Sequence, residues 1–244
     1  MNTPILNPET GEQKLRAEFD LLADEYHDQH KANVAITGED PEYFAEYKIA
    51  DLAALVQREG LPARQLFDFG SGIGNSVPYF RKYFPDGELS CGDVSSRSIE
   101  IAQIRNPGLE NYVLIDDTIP LPAGSQDIVF SACVFHHIPH EHHLHWLSEL
   151  RRVARPGGLL AIYEHNPLNP LTVRAVNTCP LDINAKLIRG RTMRARALAG
   201  GWQDAQVEYK LFFPSALKPL RPIEKYLGWL GLGAQYRMAA CKPK

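Results

Sequence analysis

"LFDFGSGIGNSVPYF", residues 66–80, sets the fold class. Leu66–Phe69 is a short apolar run broken only by Asp68, the pattern of a strand buried on both faces. Gly70, Gly72 and Gly74 follow on alternate positions, and the spacing predicts a helix from Gly74 onward. Glycine permits positive φ and lets another group approach the backbone where a Cβ would intrude. Working outward, strands are expected at Gln65–Phe69, Glu88–Asp93, Tyr112–Ile115, Asp127–Cys133 and Gly158–Tyr163, with helices from Ser96 and Pro139 between them. Alternation of this kind implies a parallel sheet with helices on both faces, a Rossmann-like α/β three-layer sandwich. Further strands are expected at Ala205–Phe213 and Gln235–Cys241, after a short Arg-rich helix ending at Gly200.

Two helices precede the sheet and read as an N-terminal cap over residues 1–63, with the main domain at 64–244. The first carries Leu15, Phe19, Leu22 and Tyr26 at helical spacing. The second opens with Asp40 and Pro41, carries Phe44, Lys48, Leu52 and Leu55 on one side, and closes at Gly60. Residues 164–190 are rich in Pro and Asn and read as a substrate-side insertion, with Asn166 and Arg174 as candidate substrate contacts. A basic Arg174 there would suit an acidic acceptor.

Composition narrows the class. The chain has 244 residues, 44% hydrophobic and 23% charged, with a formal net charge of −3. That balance gives no electrostatic reason to expect nucleic acid, and no apolar stretch approaches the roughly 18 residues a membrane span needs. The N-terminus lacks the layout of a signal peptide, and the four cysteines are scattered with no CxxC pair, so a cytoplasmic protein with reduced thiols is expected. The C-terminal Lys218, Arg221, Lys225, Arg237, Lys242 and Lys244 read as solvated surface. The expected partner is a small molecule, bound by a monomer or homodimer.

The glycine spacing bears on the ligand. A dinucleotide fingerprint is GxGxxG; here the third glycine arrives one residue early and position 75 is Asn. A phosphate loop needs Lys followed by Ser or Thr, and "GSGIGNS" has no Lys. A nucleoside without a phosphate remains. "ELSCGDV" supports it, because Asp93 ends the second strand where an acid can accept hydrogen bonds from both ribose hydroxyls and would repel a 2′-phosphate.

Four stretches in order, "FDFGSGIGN", "CGDVS", "DDTIPLPAGSQDIVFSACVFHHI" and "ELRRVARPGGLLAIYEHNP", resemble the successive motifs of class I S-adenosylmethionine-dependent methyltransferases, in the small-molecule branch that includes the quinone-biosynthesis type. The resemblance covers about residues 64–165 and implies a seven-stranded, mostly parallel sheet with an antiparallel last strand. It further implies that Gly70, Ser71, Gly72 and Gly74 lie beside the methionyl and ribose parts of S-adenosylmethionine. Asp68 would hold the amino group, Asp93 the ribose hydroxyls, and Val94 would lie against adenine. Asp117 would contact the adenine amino group, with Asp116 the fallback. "FDLLADEYHDQH" and "GEDPEYFAEYKIADL" resemble N-terminal segments that close over the cofactor, making Tyr26, Tyr47 and Lys48 candidates near its carboxylate. The product would be S-adenosylhomocysteine.

"FHHIPHEHHLHW" holds six of the nine histidines. Neither HExxH nor HxxEH is present, because position 144 is Leu and position 138 is Ile, and no metal is expected. On a helix from Pro139, His140 and His143 would share a face with Leu144, Leu147 and Leu150, leaving His142 and His145 outward. His136 and His137 stand just past the fourth strand, and His137 is the candidate general base or acceptor contact. Methyl transfer to O, N or C of a small acceptor is the favoured reading. An NAD-dependent oxidoreductase and a non-catalytic adenosyl-binding protein are the alternatives.

Overall fold

The computed structural model describes residues 38–182 and 184–244. The expected first helix and Tyr26 lie outside that range. Six helices are described: α1 Pro41–Glu59, α2 Val77–Tyr83, α3 Ser96–Arg105, α4 His143–Val153, α5 Pro170–Thr178 and α6 Gly190–Ala199. The strands are β1 Gln65–Phe69, β2 Glu88–Asp93, β3 Asn111–Leu114, β4 Gln126–Ala132, β5 Ala154–His165, β6 Gln203–Lys210 and β7 Gln235–Cys241. They form one sheet in the order β3-β2-β1-β4-β5-β7-β6, in which β7 runs antiparallel to both neighbours. The seven-stranded Rossmann-like sheet expected from the sequence is therefore present. Strand order reverses between β1 and β4, and that switch point is where an open α/β sheet opens a crevice.

Alternation along the strands sends side chains into two cores. Phe67, Val129, Leu160 and Met238 pack on one face with Trp146, Leu147 and Leu150 of α4 and Met193 and Ala197 of α6. Trp202 completes that layer, its indole N–H donating to the Leu147 carbonyl at 2.9 Å. Leu66, Ile128, Phe130, Leu159 and Tyr163 face the other way, onto Ile49, Leu52 and Leu55 of α1 and Val77 and Phe80 of α2. Asp68 shares parity with Leu66, so it points to the α1 layer. That one step of register places a carboxyl beneath Lys48.

Helix α1 begins as the sequence indicates, with Asp40 extended at the N-cap and Pro41 in the first turn, and it ends on Gly60 in the left-handed conformation (φ 61°). Although Pro41–Glu59 falls within the expected cap, its buried stripe is part of the sheet's core. Asp51 fastens it further: its carboxylate accepts from Tyr163 Oη at 2.8 Å, Lys210 Nζ at 2.8 Å and an Arg237 guanidinium nitrogen at 2.5 Å. Arg237 is 3% exposed and pairs also with Glu208 at 2.8 Å, so it is not the solvated residue expected from the sequence. Arg221 is likewise turned inward, paired with Glu39 at 2.6 Å and lying over the Tyr43 ring. Asp51→Ala would leave Arg237 with Glu208 as its one carboxylate partner among the described residues. The expected loss is about 2 kcal/mol, below the 3–5 typical of a broken buried pair because one partner survives. Urea unfolding measures it.

Several boundaries shift. The second motif helix begins at Val77 rather than Gly74: Gly74 is left-handed (φ 76°), and Pro78, which lacks an N–H, fits only the first turn. The helix expected from Pro139 is a single tight turn at His140–His142 followed by α4. His143, Leu147 and Leu150 face inward, but Leu144 is 48% exposed and His140 is also exposed, because the tight turn resets the helical phase. The expected insertion 164–190 carries α5 and a further tight turn, Pro180–Asp182. Among the described residues no helix is long and apolar enough to cross a membrane.

Candidate functional site

A cavity of about 420 Å³ opens at the β1/β4 switch point. Its floor is the glycine turn, and each glycine has its own reason. Gly70 (φ 75°) lies so close to the turn after β4 that a Cβ would strike Val134 at 2.3 Å. Gly74 packs on α3, where a Cβ would meet the Asn106 amide at 2.6 Å. Gly72 (φ 53°) has nothing within 4 Å of its missing Cβ and lines the cavity, so its role is to leave space.

The N–H groups of this turn are already used. Gly70 and Ser71 donate to the Gly92 carbonyl at 2.8 and 3.0 Å, Gly74 donates to Ser71, and Gly72 donates to Asp93 Oδ2 at 2.8 Å. The turn therefore offers close approach rather than the nest of free donors that a phosphate requires. Asp93 Oδ1 accepts from the Ser95 N–H at 2.9 Å, while Ser95 caps α3 through its own hydroxyl. Asp93 thus links β2, the glycine turn and the start of α3, with its carboxylate on the cavity wall.

Asp68 lies below the turn, 2% exposed, and its Oδ2 has no hydrogen-bond partner. Burial pushes its pKa up to about 8, and the charge of Asp93 adds to the rise while Lys48 opposes it. An under-satisfied buried carboxyl beside a cavity can receive a cation with N–H donors by giving up its proton as the cation docks. Lys48, buried on α1, lines the same wall, whereas Tyr47 does not. Val94 and Trp146 line the adjoining part. Of the adjacent pair, Asp116 lines the cavity; Asp117 is exposed, and its carbonyl accepts from His145 Nε2 at 2.8 Å.

The far wall is built from the turn after β4. Cys133 takes a left-handed conformation (φ 59°) and donates its N–H to the Tyr163 carbonyl at 2.8 Å, which bends the chain back under β5. Glu164, fully buried, accepts from the Val134 and Phe135 N–H groups at 3.0 and 2.7 Å and holds His136 Nδ1 at 2.5 Å. Asp182 Oδ1 stands 3.4 Å from His136 Nε2 and 3.5 Å from His137 Nε2. Burial works to lower the His136 pKa, but the charge of Glu164, the nearby Asp182 carboxylate and the hydrogen bond to Glu164 win and raise it to about 10. Burial and the charge on His136 bring His137 down to about 3 and His165 to about 4. The resulting wall holds one imidazolium between two carboxylates, flanked by neutral imidazoles.

The remaining substrate candidates lie elsewhere. Asn166 is buried but spends its amide on the Gly231 and Gly233 carbonyls at 3.0 and 2.8 Å, with its Oδ1 accepting from the Leu168 N–H. Arg174 is exposed on α5 and is not among the cavity residues. The wall there is formed by Thr172, Val176, Phe212 and Phe213, with Tyr43 and Arg221 across from them. Sequence reasoning misses Glu164, and it places Asp182 only among the polar side chains of the 164–190 segment that could form a substrate wall, unconnected with the histidines. An acid ending the fifth strand, opposite a His-His pair ending the fourth, was the available signal.

Residues 67–162 match a methyltransferase domain family. The chain is 30% identical over 145 residues to the trans-aconitate 2-methyltransferase of Rhizobium meliloti, covering 59% of this chain and 55% of that protein. It spans about half the length of the curated relatives it matches. Among solved structures, a Thermotoga maritima S-adenosylmethionine-dependent methyltransferase, described as a possible histamine N-methyltransferase, superposes with a TM-score of 0.65 at 17% identity, covering 93% of this chain and 99% of the other. Phosphoethanolamine N-methyltransferase 2 of Haemonchus contortus, solved with phosphomonomethylethanolamine and S-adenosylhomocysteine, gives 0.61 at 17% identity over 94% and 60% of the two chains.

Proposed function

For a chain that belongs to the class I S-adenosylmethionine-dependent methyltransferase family, we propose methyl transfer from S-adenosylmethionine to a small-molecule acceptor bound in the same cavity. The observation that carries this reading is the pairing of two buried carboxyls across Gly72. Asp68 has an oxygen without a partner, and Asp93 is fixed by two backbone N–H groups. The first fits the ammonium of a methionyl group and the second a ribose diol, with the open space at Gly72 between them. Asp116, rather than Asp117, is our reading for the contact to the adenine amino group, because it lines the cavity together with Val94 and Trp146. Lys48 is the cation available to the carboxylate.

The bound donor supplies a methyl group on a positively charged sulfur, and the protein's work is to align it with the acceptor and exclude water. The acceptor side is largely apolar, with Phe212, Phe213, Val176 and Tyr43 in its wall. His137 stands at the acceptor end as a neutral imidazole. With its pKa down at about 3 it is a weak proton acceptor, so alignment outweighs general-base catalysis by this side chain. The cytoplasmic reading is supported by four cysteines, none of which is in a disulfide.

A thermal-shift series separates the cofactor classes. S-adenosylmethionine or S-adenosylhomocysteine at about 100 times its Kd stabilises by ~2.7 kcal/mol, a rise in Tm of roughly 5–10 °C for a chain of this size. NAD and NADP are expected to give none. A shift with NAD alone would overturn the reading, and a shift without S-adenosylhomocysteine release across an acceptor screen would favour a non-catalytic binder.

A further inference from the structure

The histidine–carboxylate cluster has a geometry that hydrogen bonding does not account for. N–H···O hydrogen bonds lie at 2.7–3.2 Å, yet Asp182 Oδ1 is 3.4 Å from His136 Nε2 and 3.5 Å from His137 Nε2. Two ligand atoms about 2.0–2.1 Å from one tetrahedral ion stand roughly 3.3–3.4 Å apart. One ligand atom from each of the three residues falls within 4.8 Å of the other two. His136 is 1% exposed, its Nε2 has no hydrogen-bond partner, and its Nδ1 is held by Glu164 at 2.5 Å. A carboxylate behind one ring nitrogen orients the other toward a metal, as in carboxylate–histidine–metal triads. Glu164 is itself fixed by the Val134 and Phe135 N–H groups. Asp182 is fixed from its own side, since the Ala185 N–H donates to its carbonyl at 2.9 Å and the Lys186 N–H donates to the His136 carbonyl at 2.7 Å.

We propose that His136, His137 and Asp182 bind one divalent transition-metal ion, which takes the place of the His136 Nε2 proton released to solvent, with Glu164 orienting His136 and the remaining coordination positions open to the cavity. Two imidazoles and one carboxylate suit zinc, iron(II) or cobalt(II) better than magnesium or calcium, which prefer all-oxygen sets. This departs from the expectation of no metal, which came from searching the histidine run for local signatures. The role of the ion rests on the methyl-transfer reading. All three ligands line the cavity; on that reading the ion would bind an acceptor oxygen and lower the pKa of its hydroxyl, whose proton leaves to solvent. The oxygen then attacks the methyl carbon as the carbon–sulfur bond breaks, with that bond's electron pair going to sulfur. The acceptor class is therefore an oxygen-donor small molecule, a hydroxyl or an enolisable carbonyl.

The test uses the full chain, stripped with a chelator and titrated with cobalt(II) and zinc(II). One equivalent retained through desalting, with a visible cobalt(II) spectrum and a rise in Tm, is expected. His137→Ala and Asp182→Ala should each abolish retention, and Glu164→Gln should weaken it about 10–100-fold. His142→Ala/His145→Ala, which removes the neighbouring pair on α4 and its preceding turn, should change nothing. His136→Ala would strand Glu164 and is avoided. Failure of the wild type to retain metal, retention by the His137 and Asp182 variants, or loss with the His142/His145 variant would each overturn the proposal. Calorimetry of S-adenosylhomocysteine binding to the metal-free protein keeps the two readings apart. Binding intact without metal retention sinks the metal site alone, whereas no binding sinks the donor reading.

Discussion

Asp93→Ala is expected to lower affinity for S-adenosylhomocysteine roughly 300-fold. Two hydrogen bonds from a ribose diol to a charged acceptor, each worth about 1.5–3 kcal/mol, come to about 3 to 6 kcal/mol; each 1.4 kcal/mol is a factor of ten, so 300-fold takes the lower part of that range. The same carboxylate holds the N–H groups of Gly72 and Ser95, so the substitution also releases the turn that shapes the floor. Apo stability should fall by about 2 kcal/mol through the two stranded donors. Asp93→Asn separates the effects. Its amide oxygen can keep one of the two N–H groups, but its amino group would face the other, so stability returns in part while ribose binding does not. Calorimetric titration of the three proteins gives the affinities and urea unfolding gives the stabilities. An Asp93→Ala protein that binds S-adenosylhomocysteine within threefold of wild type would remove the ribose assignment.

The parts legible in sequence are those where one local rule acts alone. β1, β2 and β7 have the bounds expected, because buried strands announce themselves by apolar runs cut off by glycine or charge. Asp68 and Asp93 are placed by strand ends, and the strand ends fix the cavity. The misplaced parts depend on pairings between distant segments. Asn169 and Pro170 are a helix start, the Asn side chain accepting from the Leu171 and Thr172 N–H groups. In a stretch crowded with proline they read as turn residues, and α5 was hidden. Arg221 and Arg237 look solvated in a charged C-terminal segment, and only their partners Glu39, Asp51 and Glu208 show otherwise. Asp116 and Asp117 differ by one residue in register, and spacing alone does not resolve which one turns to the cavity.

Asp68 ties ligand binding to proton release, and its sign can be worked out. With its pKa up at about 8, the free protein carries Asp68 protonated at pH 6.5. An α-amino group remains charged until about pH 7.7–8.0, so an ammonium docking on Asp68 requires the carboxyl to ionise and releases about one proton. Affinity for S-adenosylhomocysteine should therefore rise with pH, at most about tenfold per unit, and level off near pH 8. Titration at pH 6.5 in two buffers of different ionisation enthalpy counts the proton. Folding stability runs the other way. The native pKa lies above the ordinary carboxylate value of 3.8, so between these pH values the unfolded chain has lost a proton that the native state keeps. Stability from this group is complete below about pH 4 and is lost as pH climbs toward 8. Asp68→Asn, neutral in both states, should match wild type near pH 4, exceed it in stability at pH 7.5, release no proton and bind the ligand with weak, pH-independent affinity. A buried acid that costs stability at working pH and recovers it only when a cation arrives is a binding group rather than a structural one. Equal proton counts for wild type and Asp68→Asn would instead mean that Asp68 is already ionised opposite Lys48 and that the ammonium docks elsewhere.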